Sequence, residues 1–142
     1  MTVFLLDINL LLALFDPTHL HHEAAHHWFG RRERAWATCP LTENGFIRIA
    51  SHPSYPNSQG DAGLVTELLR SFCASSGHHF WSDAVSLLDR ELFPMLVGLG
   101  SKQVTDVYLL GLAVANKGKL ATFDQSIPTH AVKDGAQALE LI

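Results

Sequence analysis

Apolar residues lie along the chain in blocks whose spacing predicts alternating strands and helices. Val3 to Leu6 form an apolar run that ends at Asp7, which is typical of a strand buried on both faces of a parallel sheet. The leucine-rich stretch that follows, Ile8 to Leu14, favours a helix. Asp7 is therefore predicted to lie where a strand ends and a helix begins, which is where ligands bind in open α/β sheets.

The same reasoning predicts the remaining elements. Further strands are predicted at 35–39, 79–81, 119–123 and 138–142, and helices at 19–34, 41–50, 61–74, 85–92 and 105–117. No internal repeat or linker interrupts this pattern. We therefore expect residues 1–142 to form one domain of three α/β/α layers around a mainly parallel sheet of four or five strands.

Composition and charge narrow the class of protein. With 47% hydrophobic and 17% charged residues, the chain is predicted to be globular. Its net charge of −4 argues against bulk electrostatic binding to nucleic acid. Its two cysteines, Cys39 and Cys73, are too few for a disulfide framework, so we expect a reduced, cytoplasmic protein. Asp7 and Asn9 interrupt the first apolar stretch, which predicts neither a signal peptide nor a membrane span.

Four acidic residues occupy matching positions in these predicted elements. Asp7 and Asp124 end predicted strands, and Glu43 and Asp106 lie in the first turns of predicted helices. In a parallel sheet these positions share one edge, so the four side chains can converge. Carboxylates packed together cannot all stay ionised without a cation, and all-oxygen ligands suit Mg²⁺ or Mn²⁺. Such ions promote phosphodiester hydrolysis.

Short motifs around these acids resemble, in the same order, those of PIN-domain ribonucleases. The four motifs are Leu5–Asn9 (LLDIN), Leu41–Arg48 (LTENGFIR), Gln103–Leu110 (QVTDVYLL) and Leu120–Asp124 (LATFD). The nearest subgroup is the VapC toxins of VapBC toxin–antitoxin modules, which the SHP at 51–53 and the HFW at 79–81 also resemble. Each motif alone is a weak signal, but four in order are a strong one.

The resemblance implies a PIN-like fold and an endoribonuclease that depends on Mg²⁺ (or Mn²⁺). The implied substrate is RNA (tRNA, rRNA or mRNA), and the implied partners are a second copy in a homodimer and a cognate VapB-type antitoxin. By matching position, Asp7 and Asp106 are the first candidates for direct metal ligands. Glu43 and Asp124 complete the catalytic cluster as further ligands or as carboxylates that orient water.

The same motif matches indicate residues that support the acidic cluster and one departure from the family pattern. Asn9, Thr42 and Thr105 match polar positions that support the acidic cluster. Gln125 and Ser126 follow Asp124 where many relatives carry a further acid, which leaves the number of bound ions open.

Arg48 is a candidate RNA contact. It lies about one helical turn beyond Glu43 in the predicted helix. An arginine there could bind a phosphate of the substrate.

Two alternatives remain open at this point. The sequence His22-Glu23-Ala24-Ala25-His26 matches the H-E-x-x-H pattern of zinc metallopeptidases. On a helical wheel, however, both histidines and the glutamate fall on the half predicted to face solvent, opposite Leu20 and Trp28, and no third protein ligand is evident. The second alternative is a catalytically inert PIN-fold binding module, which predicts no metal affinity and no cleavage.

Overall fold

A parallel sheet forms the middle layer of the molecule. The computed structural model describes residues 1–31, 35–58 and 60–142, and within these residues five strands form one sheet in the order β3-β2-β1-β4-β5, with every neighbouring pair parallel. The prediction of a mainly parallel sheet is confirmed, and the uniformly apolar first strand lies at its centre. The strands are β1 (Val3–Leu6), β2 (Ala35–Thr38), β3 (His78–Phe80), β4 (Lys119–Thr122) and β5 (Leu139–Leu141).

Helices cover both faces of this sheet. They are α1 (Ile8–Phe15), α2 (His22–Gly30), α3 (Pro40–Ala50), α4 (Ala62–Cys73) and α5 (Val104–Ala115). Leu6 belongs to the apolar core that the first four helices form on one face, whereas Leu5 belongs to the core that α5 forms on the other. The predicted three-layer arrangement follows from this alternation along β1. None of the described helices has the length and apolar character needed to cross a membrane.

The second helix departs from the prediction at its start. It begins at His22 rather than at His19, and Leu20, which the wheel placed among the inward-facing residues, is 90% exposed. The predicted end of this helix falls on residues 32–34, which lie outside the described part of the chain.

The short helix predicted at 85–92 is wrong. This segment forms turns, because side chains bind backbone N–H groups that a helix would have used. The Ser86 hydroxyl accepts the N–H of Leu88 at 3.1 Å, and the Asp89 carboxylate accepts the N–H of Glu91 at 3.0 Å. Short polar side chains therefore outweigh the apolar spacing on which the prediction was based.

A buried carboxylate joins the end of α1 to the loop before α4. Asp16 is 8% exposed and accepts hydrogen bonds from the Tyr55 hydroxyl at 2.7 Å and the Asn57 amide at 2.8 Å. It also accepts the hydroxyl of Thr18 at 2.7 Å. Burial alone would raise the pKa of Asp16, but these hydrogen bonds outweigh it and lower the pKa well below the usual range.

Candidate active site

Asp7 is buried at the junction of β1 and α1. It is 3% exposed, and its side chain caps the helix by accepting the N–H of Ile8 at 2.7 Å. Its second carboxylate oxygen accepts the hydroxyl of Thr122, at the end of β4, at 2.6 Å. Burial raises the pKa of Asp7, the two hydrogen bonds oppose that rise, and the charge of Asp124 adds to it.

Asp106 and Asp124 lie beside Asp7 on the same edge of the sheet. The pKa of Asp106 is raised to about 7, first by burial and then by the negative charges of Asp7 and Asp124. Asp124 accepts the hydroxyl of Ser126 at 2.6 Å and its N–H at 2.8 Å, which lowers the pKa of Asp124. A hydrogen bond between the Asp106 and Asp124 side chains stabilises the proton on Asp106. The fold thus brings together three of the four predicted acids.

The chemistry of this aspartate cluster (Asp7, Asp106 and Asp124) fits a hard divalent cation. Near neutral pH the Asp106 carboxyl group is still partly protonated, because burial and the neighbouring negative charges both disfavour its ionised form. A divalent cation would replace that proton and relieve the repulsion. The donor atoms are all carboxylate oxygens, which is the ligand type that Mg²⁺ and Mn²⁺ prefer.

Glu43 lies in the first turn of α3 and makes a different set of contacts. Its carboxylate accepts the hydroxyl of Thr38, the last residue of β2, at 2.7 Å. Its ligating oxygen also lies within 4.8 Å of those of Cys73 and His78. The negative charges that raise the pKa of Asp106 are those of Asp7 and Asp124, and Glu43 is not among them. Glu43 is therefore oriented by Thr38 and lies next to a cysteine and a histidine.

The predicted supporting threonines have structural surroundings of their own. Thr42 is buried, and its hydroxyl accepts the N–H of Cys39 at 3.0 Å, which caps the start of α3. Thr105 is exposed in the first turn of α5, next to Asp106.

Two threonines that the sequence analysis missed contact the acids directly. Thr38 and Thr122 end neighbouring strands on either side of β1, and both are fully buried. Thr38 donates its hydroxyl to Glu43, and Thr122 donates its hydroxyl to Asp7. Their position in the sequence could have identified them. A polar residue that ends an otherwise apolar strand lies at the same edge of the sheet as the acids.

A groove of about 530 Å³ lies beside Asp124. The His21 ring stacks on the Phe123 ring with centroids 4.5 Å apart. Stacked rings beside the acids provide a surface on which a nucleic-acid base can stack. The groove is lined by Asn9, His19, Leu20, His21, Phe123 and Asp124.

The candidate RNA contact Arg48 lies elsewhere. It is exposed near the end of α3 and lines a separate groove of about 270 Å³ with His52 and Tyr55. Arg48 therefore does not line the groove beside Asp124.

The histidines of the H-E-x-x-H pattern bind the backbone of α1. His22 Nδ1 lies 2.7 Å from the carbonyl oxygen of Ala13, and His26 Nε2 lies 2.8 Å from that of Leu14. These carbonyls belong to the last turn of α1 and need donors from outside the helix. The prediction that this half of α2 faces solvent is wrong for His22, which is half-buried. The spacing of the two histidines is explained by helix packing without a metal.

Curated proteins with similar sequences are VapC ribonucleases. No family model matches the chain. It is 47% identical over 129 residues to Ribonuclease VapC44 of Mycobacterium tuberculosis, covering 90% of each chain. It is 42% identical over 142 residues to Ribonuclease VapC38 of the same species, covering 97% and 96%.

Solved structures share the fold at low sequence identity. The chain matches a crystal structure of VapBC2 from Rickettsia felis bound to a promoter DNA fragment with a TM-score of 0.62, at 12% identity and 99% coverage of both chains. It matches a toxin–antitoxin complex from Klebsiella pneumoniae with a TM-score of 0.55, at 17% identity and 89% coverage.

Proposed function

The chain belongs to the family of VapC ribonucleases, and from this premise we propose that it is a metal-dependent endoribonuclease that cleaves RNA phosphodiester bonds. The observation that carries the proposal is the meeting of Asp7, Asp106 and Asp124, whose charges act on one another at one edge of the sheet. A structural protein gains nothing from three acids in one half-buried cluster, because their repulsion destabilises the fold.

The aspartate cluster would hold Mg²⁺ or Mn²⁺. When bound, such an ion activates a water and stabilises the charge that develops on the phosphate and the leaving oxygen. Thr122 and the N–H of Ile8 fix both oxygens of Asp7, so that this carboxylate meets its ligand in one orientation. Ser126 stabilises the ionised form of Asp124.

Glu43 is the fourth acid of the proposed site. Thr38 fixes its carboxylate at the end of β2, the strand next to β1. We assign Glu43 the role of orienting the attacking water and accepting its proton. Attack by that water with loss of the ribose 3′ oxygen leaves a 5′-phosphate and a 3′-hydroxyl.

The groove beside Asp124 is the proposed entrance for RNA. A base of the substrate would stack on His21 and Phe123, and Arg48 would contact a more distant phosphate. The net charge of −4 gives little general attraction for RNA, so recognition must depend on such local contacts. The substrate class remains tRNA, rRNA or mRNA.

A regulatory partner forms part of the proposal. We propose that the protein is a cytoplasmic toxin that acts as a homodimer and is neutralised by a cognate VapB-type antitoxin. The fold it shares with VapBC complexes supports this assignment. Light scattering of the purified protein, alone and with the co-expressed antitoxin, tests both assemblies.

The substitution Asp7→Asn tests the catalytic assignment. Asparagine keeps the volume and the helix-capping acceptor of Asp7, so we expect a folded protein. RNA cleavage at millimolar Mg²⁺ should fall by about 100-fold or more, because one charged ligand is lost. Asp61→Asn is the matched control, since Asp61 caps α4 in the same way and is exposed. Undiminished cleavage by Asp7→Asn would rule the assignment out.

A further inference from the structure

Three side chains with different metal-binding atoms meet around the end of β2, the strand next to β1. Glu43 comes from the first turn of α3, Cys73 ends α4, and His78 begins β3. Their ligating atoms all lie within 4.8 Å of one another, and all three residues are half-buried. This group of atoms is distinct from the three aspartate carboxylates.

The topology explains why these residues meet. His78 pairs with Trp36, two residues before the end of β2, and Phe80 pairs with Thr38. The His78 Nε2 atom lies 2.8 Å from the Thr38 hydroxyl. Only four residues separate Cys73 from His78, so one tight turn brings the end of α4 back to the sheet. Helix α3 packs on α4 and supplies Glu43.

Hydrogen bonds already orient the group. The Thr38 hydroxyl has one proton and donates it to Glu43 at 2.7 Å. It must therefore accept a hydrogen bond from His78 Nε2. Thr38 thus holds the carboxylate and the imidazole side by side. Because Nε2 donates its proton to Thr38, zinc would bind the unprotonated Nδ1 of His78, or bind Nε2 after that hydrogen bond breaks.

The chemistry of these donors differs from that of the aspartates. Sulfur, imidazole nitrogen and carboxylate oxygen together are a ligand set for Zn²⁺ and not for Mg²⁺. A thiolate and a carboxylate neutralise the ion, which a half-buried site requires. Tetrahedral zinc places its ligand atoms roughly 3.3–3.7 Å apart, so side-chain shifts of about 1 Å suffice. Glu43 and Cys73 also line a groove of about 460 Å³ through which a fourth ligand, water, can enter.

We propose that Glu43, Cys73 and His78 form a binding site for Zn²⁺ that is separate from the aspartate cluster. The proposal has a consequence that rests on the proposed function. If Glu43 orients the attacking water, zinc bound to Glu43 withdraws it from that role. Zinc would then inhibit the nuclease by a route that requires Cys73.

Cobalt titration of the reduced full-length protein tests the site directly. Co²⁺ replaces Zn²⁺ in such sites, and a cobalt–thiolate bond gives a charge-transfer absorption band. We expect one equivalent of Co²⁺ to produce this band and Zn²⁺ to abolish it. Cys73→Ser should eliminate the band, and His78→Gln should weaken binding by about 10-fold or more.

Two controls make the result specific. His79→Gln changes the next residue of the same strand and should bind cobalt like the wild type, because His79 is exposed and pairs with Ala37. Cys39 is fully buried in the apolar core, which keeps that thiol from supplying the band. Circular dichroism of Cys73→Ser and of a second variant, Cys73→Ala, checks that both are folded.

Several outcomes would overturn the proposal. These are the absence of a thiolate band in the wild type, a band that persists in both folded Cys73 variants, and cobalt binding through the histidines of α2 alone.

The nuclease proposal is tested separately. If Asp7→Asn loses cleavage but keeps the cobalt band, the nuclease proposal and the zinc-site proposal are both supported. If the wild type shows the cobalt band but no cleavage, only the zinc-site proposal is supported. If the protein has both the nuclease activity and the zinc site, micromolar Zn²⁺ should reduce cleavage by the wild type but not by Cys73→Ser.

Discussion

A single hydroxyl group, that of Thr122, connects two acids of the aspartate cluster. It donates to Asp7 at 2.6 Å and accepts the N–H of Asp124 at 3.0 Å. The side chain is fully buried, so water cannot replace it. Thr122 therefore fixes both the orientation of Asp7 and the backbone that carries Asp124.

Replacing Thr122 by valine should uncouple activity from folding. Valine has nearly the same shape but lacks the hydroxyl, so Asp7 loses a fixed donor while the core remains filled. We expect cleavage to fall by about 10-fold or more, with weaker Mg²⁺ dependence. Thr66→Val is the matched control, because the Thr66 hydroxyl only binds the Ala62 carbonyl within α4. Equal activity of the two variants would contradict the role of Thr122.

The buried carboxylate of Asp16 should contribute to stability in a pH-dependent way. Asp16→Asn removes a charged acceptor from Tyr55, Thr18 and Asn57 and should cost about 2 kcal/mol. The pKa of Asp16 is lowered in the folded state from the ordinary 3.8. Its contribution is therefore complete above that value and is lost as the pH falls below it.

Thermal melts at several pH values check this expectation. The melting temperature of Asp16→Asn should lie below that of the wild type near neutral pH, and the gap should narrow as the pH drops below about 4. Tyr55→Phe, which removes one donor, should cause a smaller loss. A gap independent of pH would show that packing, and not the carboxylate charge, accounts for the effect.

At the scale of elements, the strongly apolar segments were predictable and the polar connections were not. The strand at Val3–Leu6 and the helix at Ile8–Phe15 are found where the sequence predicts them, because uninterrupted apolar runs have few other solutions in a parallel sheet. The helix predicted at 85–92 is replaced by turns that Ser86 and Asp89 stabilise. Hydrogen bonds from single side chains to the backbone decided that segment, and hydrophobic periodicity does not register them.

The packing of α1 on α3 depends on a glycine. The sequence analysis placed Gly45 in the helix that carries Glu43, and a Cβ atom at this position would overlap the Ile8 side chain. Gly→Ala within a helix normally stabilises by about 1 kcal/mol. Here we expect the opposite sign, because either the Ile8 side chain must leave its packed rotamer or α3 must move away from α1 to relieve the overlap.

Stability and activity measurements on Gly45→Ala test this contact. The variant should melt at a lower temperature than the wild type and cleave RNA more slowly, since Ile8 follows Asp7 and Glu43 lies two residues before Gly45. Adding Ile8→Val removes the Cδ1 atom nearest to the new methyl group and should restore part of both losses. Gly30→Ala is the control, because among the described residues no atom outside its chain neighbours and its own helix backbone lies within 4 Å of its added Cβ. A stable, fully active Gly45→Ala protein would contradict the tight contact.

At the scale of the whole molecule, the order of strands determines which acids meet. Strand β1 lies between β2 and β4, so the residues that end those strands flank Asp7 on either side. The convergence of Asp7, Asp106 and Asp124 was predictable from parallel topology alone. The orientation of Glu43 was not, because it depends on Thr38, on the register of β2 with β3, and on where α4 ends.

The aspartate cluster should make the stability of the whole protein depend on pH and on the divalent cation together. In the metal-free folded state Asp106 has a pKa of about 7, against an ordinary value of 3.8. Between these values the folded protein binds more protons than the unfolded chain, so this group lowers the stability as the pH rises. Asp7, whose pKa is also raised by burial, acts in the same direction.

Asp106→Asn isolates this effect, because asparagine is neutral at every pH. In the presence of a chelator, the melting temperature of Asp106→Asn should rise relative to that of the wild type between about pH 4 and about pH 7. Adding Mg²⁺ should raise the melting temperature of the wild type most at the higher pH, where the acids are ionised, and should change that of Asp106→Asn far less. Parallel pH profiles for the two proteins, or equal stabilisation by Mg²⁺, would contradict a cation site at the cluster. In that case no bound cation would explain why three carboxylates that destabilise the metal-free protein at neutral pH lie so close together.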